Sequence, residues 1–399
     1  MIGDRTGETV AVGVRISRDL QRCSPSEVTI ERKRENVQIV RSWYVRLPSS
    51  INESGKTIKS FKEVDSNCGV SYAFLGPPPL ETQIKRTALT LWKSRTAPDS
   101  SPMDTTLSPS QLARSIGVSE SSLKRWVDDG ALAAVRTHGG HRRISLNEAV
   151  RFIRSIGATL VRPDLLGIGE LADLPPNWAQ GEDVADRLYR SLEAGDVGQS
   201  RALIHGLYVA GWSPAQIFDG PLRTAMSQIG TLWLHAEWGI VVEHRATNIA
   251  IQAISQLRLL MPAHRPDGPF AVGCALEGDP YLLPSLMASV TLAAVGFSDV
   301  NLGPITPSRV LANASEHYDA KLVWITASVI ASEEAFSAEV VGLYERLRAR
   351  GCRLVVGGRA VTPGIREAIA HRATLSDGMT ELAAVGGELI GELKGVRLE

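Results

Sequence analysis

The chain has 399 residues, 44% of them apolar, and its 43 Lys and Arg balance 43 Asp and Glu for a formal net charge of +0. That length allows two or three domains. No stretch approaches the ~20 uninterrupted apolar residues of a membrane span, the N-terminus lacks a secretory-signal pattern, and the four cysteines (Cys23, Cys68, Cys274, Cys352) are scattered with no Cys-x-x-Cys pair, which excludes a zinc or disulfide framework and predicts a reducing, cytoplasmic setting.

Residues 1–104 show no sustained period of 2 or 3.6. Short apolar pieces such as 37–44 are interrupted by small and charged residues, and the Gly-Pro-Pro-Pro run at 76–79 and the stretch 95–102 read as linkers. A region without a stable fold is expected there, with a small unrecognised domain as the alternative. Met103 reads as a start of translation that would make the preceding residues a spurious extension.

At 105–156 the pattern sharpens into a winged helix-turn-helix. Pro109 and Ser110 open a helix whose apolar face is Leu112, Ala113 and Ile116, Gly117 makes the turn, and a second helix starts at the capping Ser119 with Leu123, Trp126 and Val127 directed inward. The exposed face of that second helix offers Ser121, Ser122, Lys124 and Arg125; Arg can fork onto a guanine edge, whereas Ser and Lys are adaptable or point-charge contacts. The segment Arg136, Thr137, His138, Gly139, Gly140, His141, Arg142, Arg143 follows as a wing. The two glycines are expected to take the positive φ values of a hairpin tip, and the basic residues to meet phosphates or a minor groove. Residues 107–154 hold eight Lys/Arg against four Asp/Glu, so the local field is positive. Double-stranded DNA is the predicted partner.

Residues 157–177 read as a Gly- and Pro-rich linker. Four helices are predicted at 183–193, 197–210, 213–232 and 238–260, a bundle spanning 178–262. From residue 268 to 397 strand and helix alternate: strands at 271–276, 300–302, 322–326 and 353–356, helices at 282–295, 306–317, 333–350 and 361–370. That alternation predicts a flavodoxin-like, doubly wound parallel sheet, with ligands outside the carboxyl ends of the strands at loops 277–283, 303–306, 327–332 and 357–361. The fold class expected is thus multidomain, α and α/β.

The reader resembles the MerR family of regulators. With the bundle and sheet behind it, 107 to the C-terminus resembles the cobalamin-dependent light-sensing repressors of the CarH and LitR type. The sharpest shared motif is Trp-x9-Glu-His, met by Trp233, Glu243 and His244. The resemblance implies that these three cap the upper face of adenosylcobalamin. It also implies that Gly303 with Pro304, Ser328 with Ile330, and Gly357 with Gly358 house the corrinoid's nucleotide tail. Two departures stand out. Where the family's Asp-x-His-x-x-Gly supplies the lower cobalt ligand, this chain has Asp279, Tyr281 and Pro284; where light-sensing members place a histidine after the Trp, it has Leu234, with His235 one position along. A neutral phenol is a poor cobalt ligand. The cofactor expected is therefore cobalamin without a protein histidine on cobalt, or none; no protein metal site is expected.

These features predict a DNA-binding transcriptional regulator, a repressor, whose cobalamin-binding-like module senses a ligand or light and controls oligomerisation. The alternatives are a cofactor-independent regulator answering to a protein partner, and a corrinoid carrier of a methyltransferase system. No nucleophile elbow or phosphate loop points to an enzyme.

Overall fold

The computed structural model describes residues 106–175, 178–180, 184–232, 237–262 and 268–395, together with short strands nearer the N-terminus. The chain divides into two compact units, Met1–Pro98 and Asp99–Glu399. In the first unit β1 (Ile2–Gly3) pairs with β2 (Thr9–Val10), β3 (Trp43–Arg46) with β6 (Phe61–Val64), and β4 (Ser50–Ile51) with β5 (Thr57–Ile58), all antiparallel. Most of the region expected to lack a fold lies outside the described residues.

The second unit begins with the helix-turn-helix. After β7 (Thr106–Leu107), α1 (Pro109–Ser115) starts at a reciprocal cap: Ser108 Oγ accepts the Gln111 N–H at 3.2 Å and Gln111 Oε1 accepts the Ser108 N–H at 2.8 Å. Pro109 at the first helical position loses nothing, because that N–H has no helical partner. Gly117 turns the chain with φ +70°, and Ser119 caps α2 (Glu120–Asp128). β8 (Val135–Arg136) and β9 (Arg142–Ser145) form the wing, with β9 central between β7 and β8. α3 (Leu146–Ile156) then buries Val150, Phe152 and Ile153, and Trp126 meets the Phe152 ring at 5.1 Å.

Of the segment 157–177, expected to be a linker, residues 157–175 fold onto both neighbours. The Val161 and Arg162 N–H groups donate to the Ser115 carbonyl, and Leu166 and Ile168 are buried in the core shared by reader and bundle. Arg154 closes the junction, donating to the Trp212 carbonyl at 3.0 Å with its guanidinium 3.9 Å from the centre of the Tyr208 ring.

The bundle is α4 (Val184–Ala194), α5 (Val197–Val209), a broken third helix, and α8 (Glu237–Leu257). α5 is buried from Ala202 to Val209, so it is the central member. The third helix, expected to be continuous, runs as α6 (Pro214–Ile217), a π turn over Phe218–Leu222, then α7 (Arg223–Ile229). Gly220 leaves helical geometry (φ −89°, ψ −106°) and Pro221 has no N–H to give, which is why the ladder breaks there. The break is used: Asp219 accepts the N–H groups of Met379 (2.9 Å) and Thr380 (2.7 Å), fastening the bundle to the last helix.

The third part is a five-stranded, all-parallel sheet of β10 (Phe270–Ala275), β11 (Ser298–Asn301), β12 (Leu322–Thr326), β13 (Arg353–Gly357) and β14 (Thr374–Ser376), in the order β11-β10-β12-β13-β14. This is the flavodoxin-like winding expected, with its switch point between β10 and β12 flanks. The helices are α9 (Leu282–Val295), α10 (Ser308–His317), α11 (Glu333–Arg348), α12 (Pro363–Ile369) and α13 (Met379–Gly395). β14 and α13 extend the four-strand expectation; a three-residue edge strand carries too little pattern to be seen in sequence. α9 and α13 cover one face, over Leu322, Trp324 and Val355, and α10 to α12 cover the other. Among the described residues no helix is long and apolar enough to cross a membrane.

Candidate functional site

On α2, Ser121, Lys124 and Arg125 are exposed and Ser122 is half-buried. Ser119 Oγ accepts the Ser122 N–H at 3.1 Å and lies 2.9 Å from both the Ser121 and Ser122 hydroxyls, so these serines serve their own helix cap. Lys124 pairs with Glu120 at 3.0 Å across exposed side chains, a weak tie that a phosphate can displace. The Arg125 guanidinium has no partner among the described residues.

The wing tip is a three-residue loop. Thr137 N–H donates to the His141 carbonyl and Gly140 N–H to the Thr137 carbonyl, both at 2.8 Å. Gly140 alone takes a positive φ, +78°, and Gly139 does not, because a turn followed by one left-handed residue closes this hairpin. The expectation of two positive-φ glycines is corrected accordingly. His138 and His141 are exposed beside them.

Across the wing Arg136 stands opposite Arg142, and Val135 opposite Arg143. Two like charges directly opposite repel. An ion pair from Arg142 to Asp128, at the end of α2, offsets part of that repulsion and ties the wing to the second helix. Arg142, expected to meet phosphates or a minor groove, is held half-buried in this ion pair. Arg136 and Arg143 are exposed, with no side-chain partner among the described residues.

The second cluster lies at the carboxyl edge of the sheet. Asp279 is buried; its Oδ1 accepts the Tyr281 N–H at 3.0 Å, its Oδ2 accepts the Ser328 N–H at 2.6 Å, and its carbonyl accepts the Ile305 N–H at 3.1 Å. One residue thus ties together the loops after β10, β11 and β12. Tyr281 is exposed with the Arg359 guanidinium 5.4 Å from its ring centre, and Arg359 Nε donates to the Ser328 carbonyl at 3.1 Å. Gly303 takes φ +83° with open space where a side chain would lie. Gly357 and Gly358 have a different cause from the one expected: a Cβ on Gly357 would lie 2.4 Å from the Ser376 carbonyl oxygen, and one on Gly358 2.2 Å from that of Ala327. Neighbouring backbone is by itself enough to demand glycine at both positions.

Sequence patterns missed several residues here. Ile305 holds φ +52° although β-branched, a conformation costing about 1–3 kcal/mol that persists only where its surroundings impose it. Its side chain is exposed, as are Tyr281 and Val329 beside the same edge. Beneath the edge, Trp324 is the largest fully buried side chain among the described residues. It lies over Gly273, where a Cβ would sit 2.0 Å from the indole. An isolated glycine inside an apolar strand signals such close approach, but the β10–β12 register needed to name its neighbour is invisible in sequence.

On α8, His244 is exposed and Glu243 half-buried; His244 Nδ1 and Glu243 Oε2 are 2.6 Å apart, and Thr247 Oγ1 donates to Glu243 Oε1 at 3.2 Å. Trp233, Leu234 and His235 lie outside the described residues. In the bundle core His205 Nε2 is 2.9 Å from the Ala253 carbonyl and Nδ1 has no partner; burial pushes the imidazole below its ordinary value. Burial pushes the thiols of Cys274 and Cys352 up to about 12. Among the described residues no group of three or more His, Cys, Asp or Glu is placed to hold a metal ion.

A family model described as a helix-turn-helix domain matches residues 106–155, and one described as a B12 binding domain matches residues 184–258, within the bundle. Together they support a DNA-binding plus cobalamin-binding architecture. No curated protein matches the chain. Among solved structures the chain is similar to the monomethylamine corrinoid protein of Methanosarcina barkeri, at 21% identity over 52% of this chain and 99% of that one, with a TM-score of 0.41. It is also similar to a cobalamin-binding protein from Desulfitobacterium hafniense DCB-2 (15% identity, 52% and 98% covered, TM-score 0.31). A third likeness is to the methanol:cobalamin methyltransferase complex MtaBC of Methanosarcina barkeri (17%, 56% and 84%, TM-score 0.28).

The residues fit a corrinoid in part. The exposed Tyr281, Ile305 and Val329 offer apolar surface at the carboxyl edge, and Gly303 leaves room beside them. They do not fit one whose tail enters the layer beneath, which Trp324 fills; where the resemblance places a cobalt ligand, the side chain is the exposed Tyr281.

Proposed function

We propose that this protein is a DNA-binding transcriptional regulator of MerR type, a repressor without catalytic activity, whose bundle and sheet form a corrinoid-type sensor. The observation that carries the reading is the reader's charge arrangement. Arg125 on α2 and Arg136 and Arg143 on the wing are exposed, and no side chain among the described residues neutralises them. A helix for the major groove with a basic hairpin beside it is a duplex-DNA arrangement. A single reader contacts too few base pairs for genomic specificity, so assembly through the C-terminal module sets several readers on repeated half-sites. Because the reader shares a core with the bundle, a ligand at the bundle or sheet edge that binds two assembly states unequally shifts DNA occupancy.

A mobility-shift titration of the full chain on the DNA upstream of its own reading frame tests this. Retardation that weakens steeply with salt is expected; no retardation at low salt would sink the proposal. Derepression of that promoter in a deletion strain is the expected cellular result, and unchanged transcription would argue against repression.

A further inference from the structure

Trp324 lies between the sheet and the first turns of α9 and closes a chain of hydrogen bonds. Its Nε1–H donates to Ser285 Oγ at 3.2 Å, Ser285 Oγ–H donates to Asn301 Oδ1 at 2.8 Å, and Asn301 Oδ1 also accepts the Gly303 N–H at 3.0 Å. The indole N–H and the serine hydroxyl both have partners here, so displacing the indole would strip its buried N–H of its acceptor. Gly273 supplies the volume that the indole takes. Pro284 stands in the first turn of α9, one residue before Ser285. Two residues beyond the indole, on the same face of β12, Thr326 is buried and its Oγ1 has no partner. The depth of the layer is therefore filled by the indole, and the unpartnered hydroxyl beyond it is itself enclosed.

We infer that Trp324 is a specificity-determining residue: it seals the space between the sheet and α9 against an inserted heteroaromatic tail. The crevice then takes a corrinoid only from above, with its own base left on the metal or with no base at all. This rests on the corrinoid reading of the sensor.

The test is a dark titration of the full-length protein with adenosylcobalamin and with adenosylcobinamide, which lacks the nucleotide loop and base. Retention after desalting and the absorption spectrum are read. The two ligands are expected to bind within about threefold of each other, and bound adenosylcobalamin to keep a base-on spectrum. The double variant Trp324→Val, Pro284→Gly, checked for folding by circular dichroism, is expected to favour adenosylcobalamin by about tenfold or more. A base-off spectrum in the wild type, or a cobinamide penalty of about tenfold or more, overturns the inference while leaving the corrinoid reading intact. If the wild type retains neither ligand but the variant retains adenosylcobalamin, the seal is supported and the corrinoid reading of the native protein fails. If neither protein retains either ligand, both fall. Should the variant not fold, the wild-type titrations decide alone, and absence of retention overturns both.

Discussion

The wing of the reader and the carboxyl edge of the sheet are both loop-borne, but they handle polar groups in opposite ways. On the wing one arginine, Arg142, is tied inward to Asp128, while Arg136 and Arg143 are left facing solvent. At the sheet edge the Asp279 carboxylate accepts from two loop N–H groups, and Trp324, Ser285 and Asn301 satisfy one another. Charges held out in water without internal partners cost little and can be recruited by a polyanion. Polar groups already paired in a buried network gain nothing from a guest. The difference teaches that the wing presents unpaired charge to solvent, whereas the sheet edge presents mainly apolar surface.

The strongest way to break that contrast is at Trp324. Trp324→Ala should cost about 3–5 kcal/mol in urea unfolding, and Gly273→Ala, which drives a Cβ into the indole, about 1–3 kcal/mol. Combining Gly273→Ala with Trp324→Leu should recover part of that loss; strict additivity would mean that the two do not share one space. Asp279→Asn comes next, at about 1–3 kcal/mol, because it puts an NH2 donor in place of one of the two oxygens that separately accept the Tyr281 and Ser328 N–H groups. An unchanged denaturation midpoint would show that the loops are held by something else.

On the reader, Arg125→Ala should weaken binding to the preferred operator by about 1–3 kcal/mol and relax discrimination at one base pair. Arg143→Ala should weaken all duplexes alike and reduce the slope of log K against log salt by about 1. Arg142→Ala should leave that slope nearly unchanged and act on the wing's stability by at most about 1 kcal/mol. Equal slopes for the two variants would erase the distinction between the inward and the outward arginine.

The smallest effect belongs to His205. Burial depresses its pKa, so the unfolded chain binds a proton more readily than the folded one. Its contribution is fully present above the ordinary value of 6.5 and is lost as pH falls from there through the folded value. Urea midpoints at about pH 7.5 and about pH 5.5 should therefore diverge more in the wild type than in His205→Gln.

Legibility followed the range over which each feature is encoded. Ser108 with Gln111, Ser119, Gly117 and the apolar spacing of α1 and α2 act within one helical turn, so the reader could be drawn from the sequence. The alternation of apolar strands with helices likewise announced the parallel sheet. The π turn at Gly220 and Pro221 was written in two adjacent residues, yet the helical periodicity on either side masked it. The identity of the wing as basic was plain in sequence; which of its arginines is spent on Asp128 was not.

What the sequence by itself determined is the order of modules, the caps and turns that begin their helices, and the presence of tyrosine at position 281. These depend on residues a few positions apart. What only the tertiary structure decided is that Arg142 turns inward, that Gly357 and Gly358 answer to neighbouring backbone, and that Gly273 makes room for Trp324. Each depends on strand register or on contacts between elements distant in the chain. Such contacts exist only once the hydrophobic core has brought those elements together, and no local pattern of residue types specifies them.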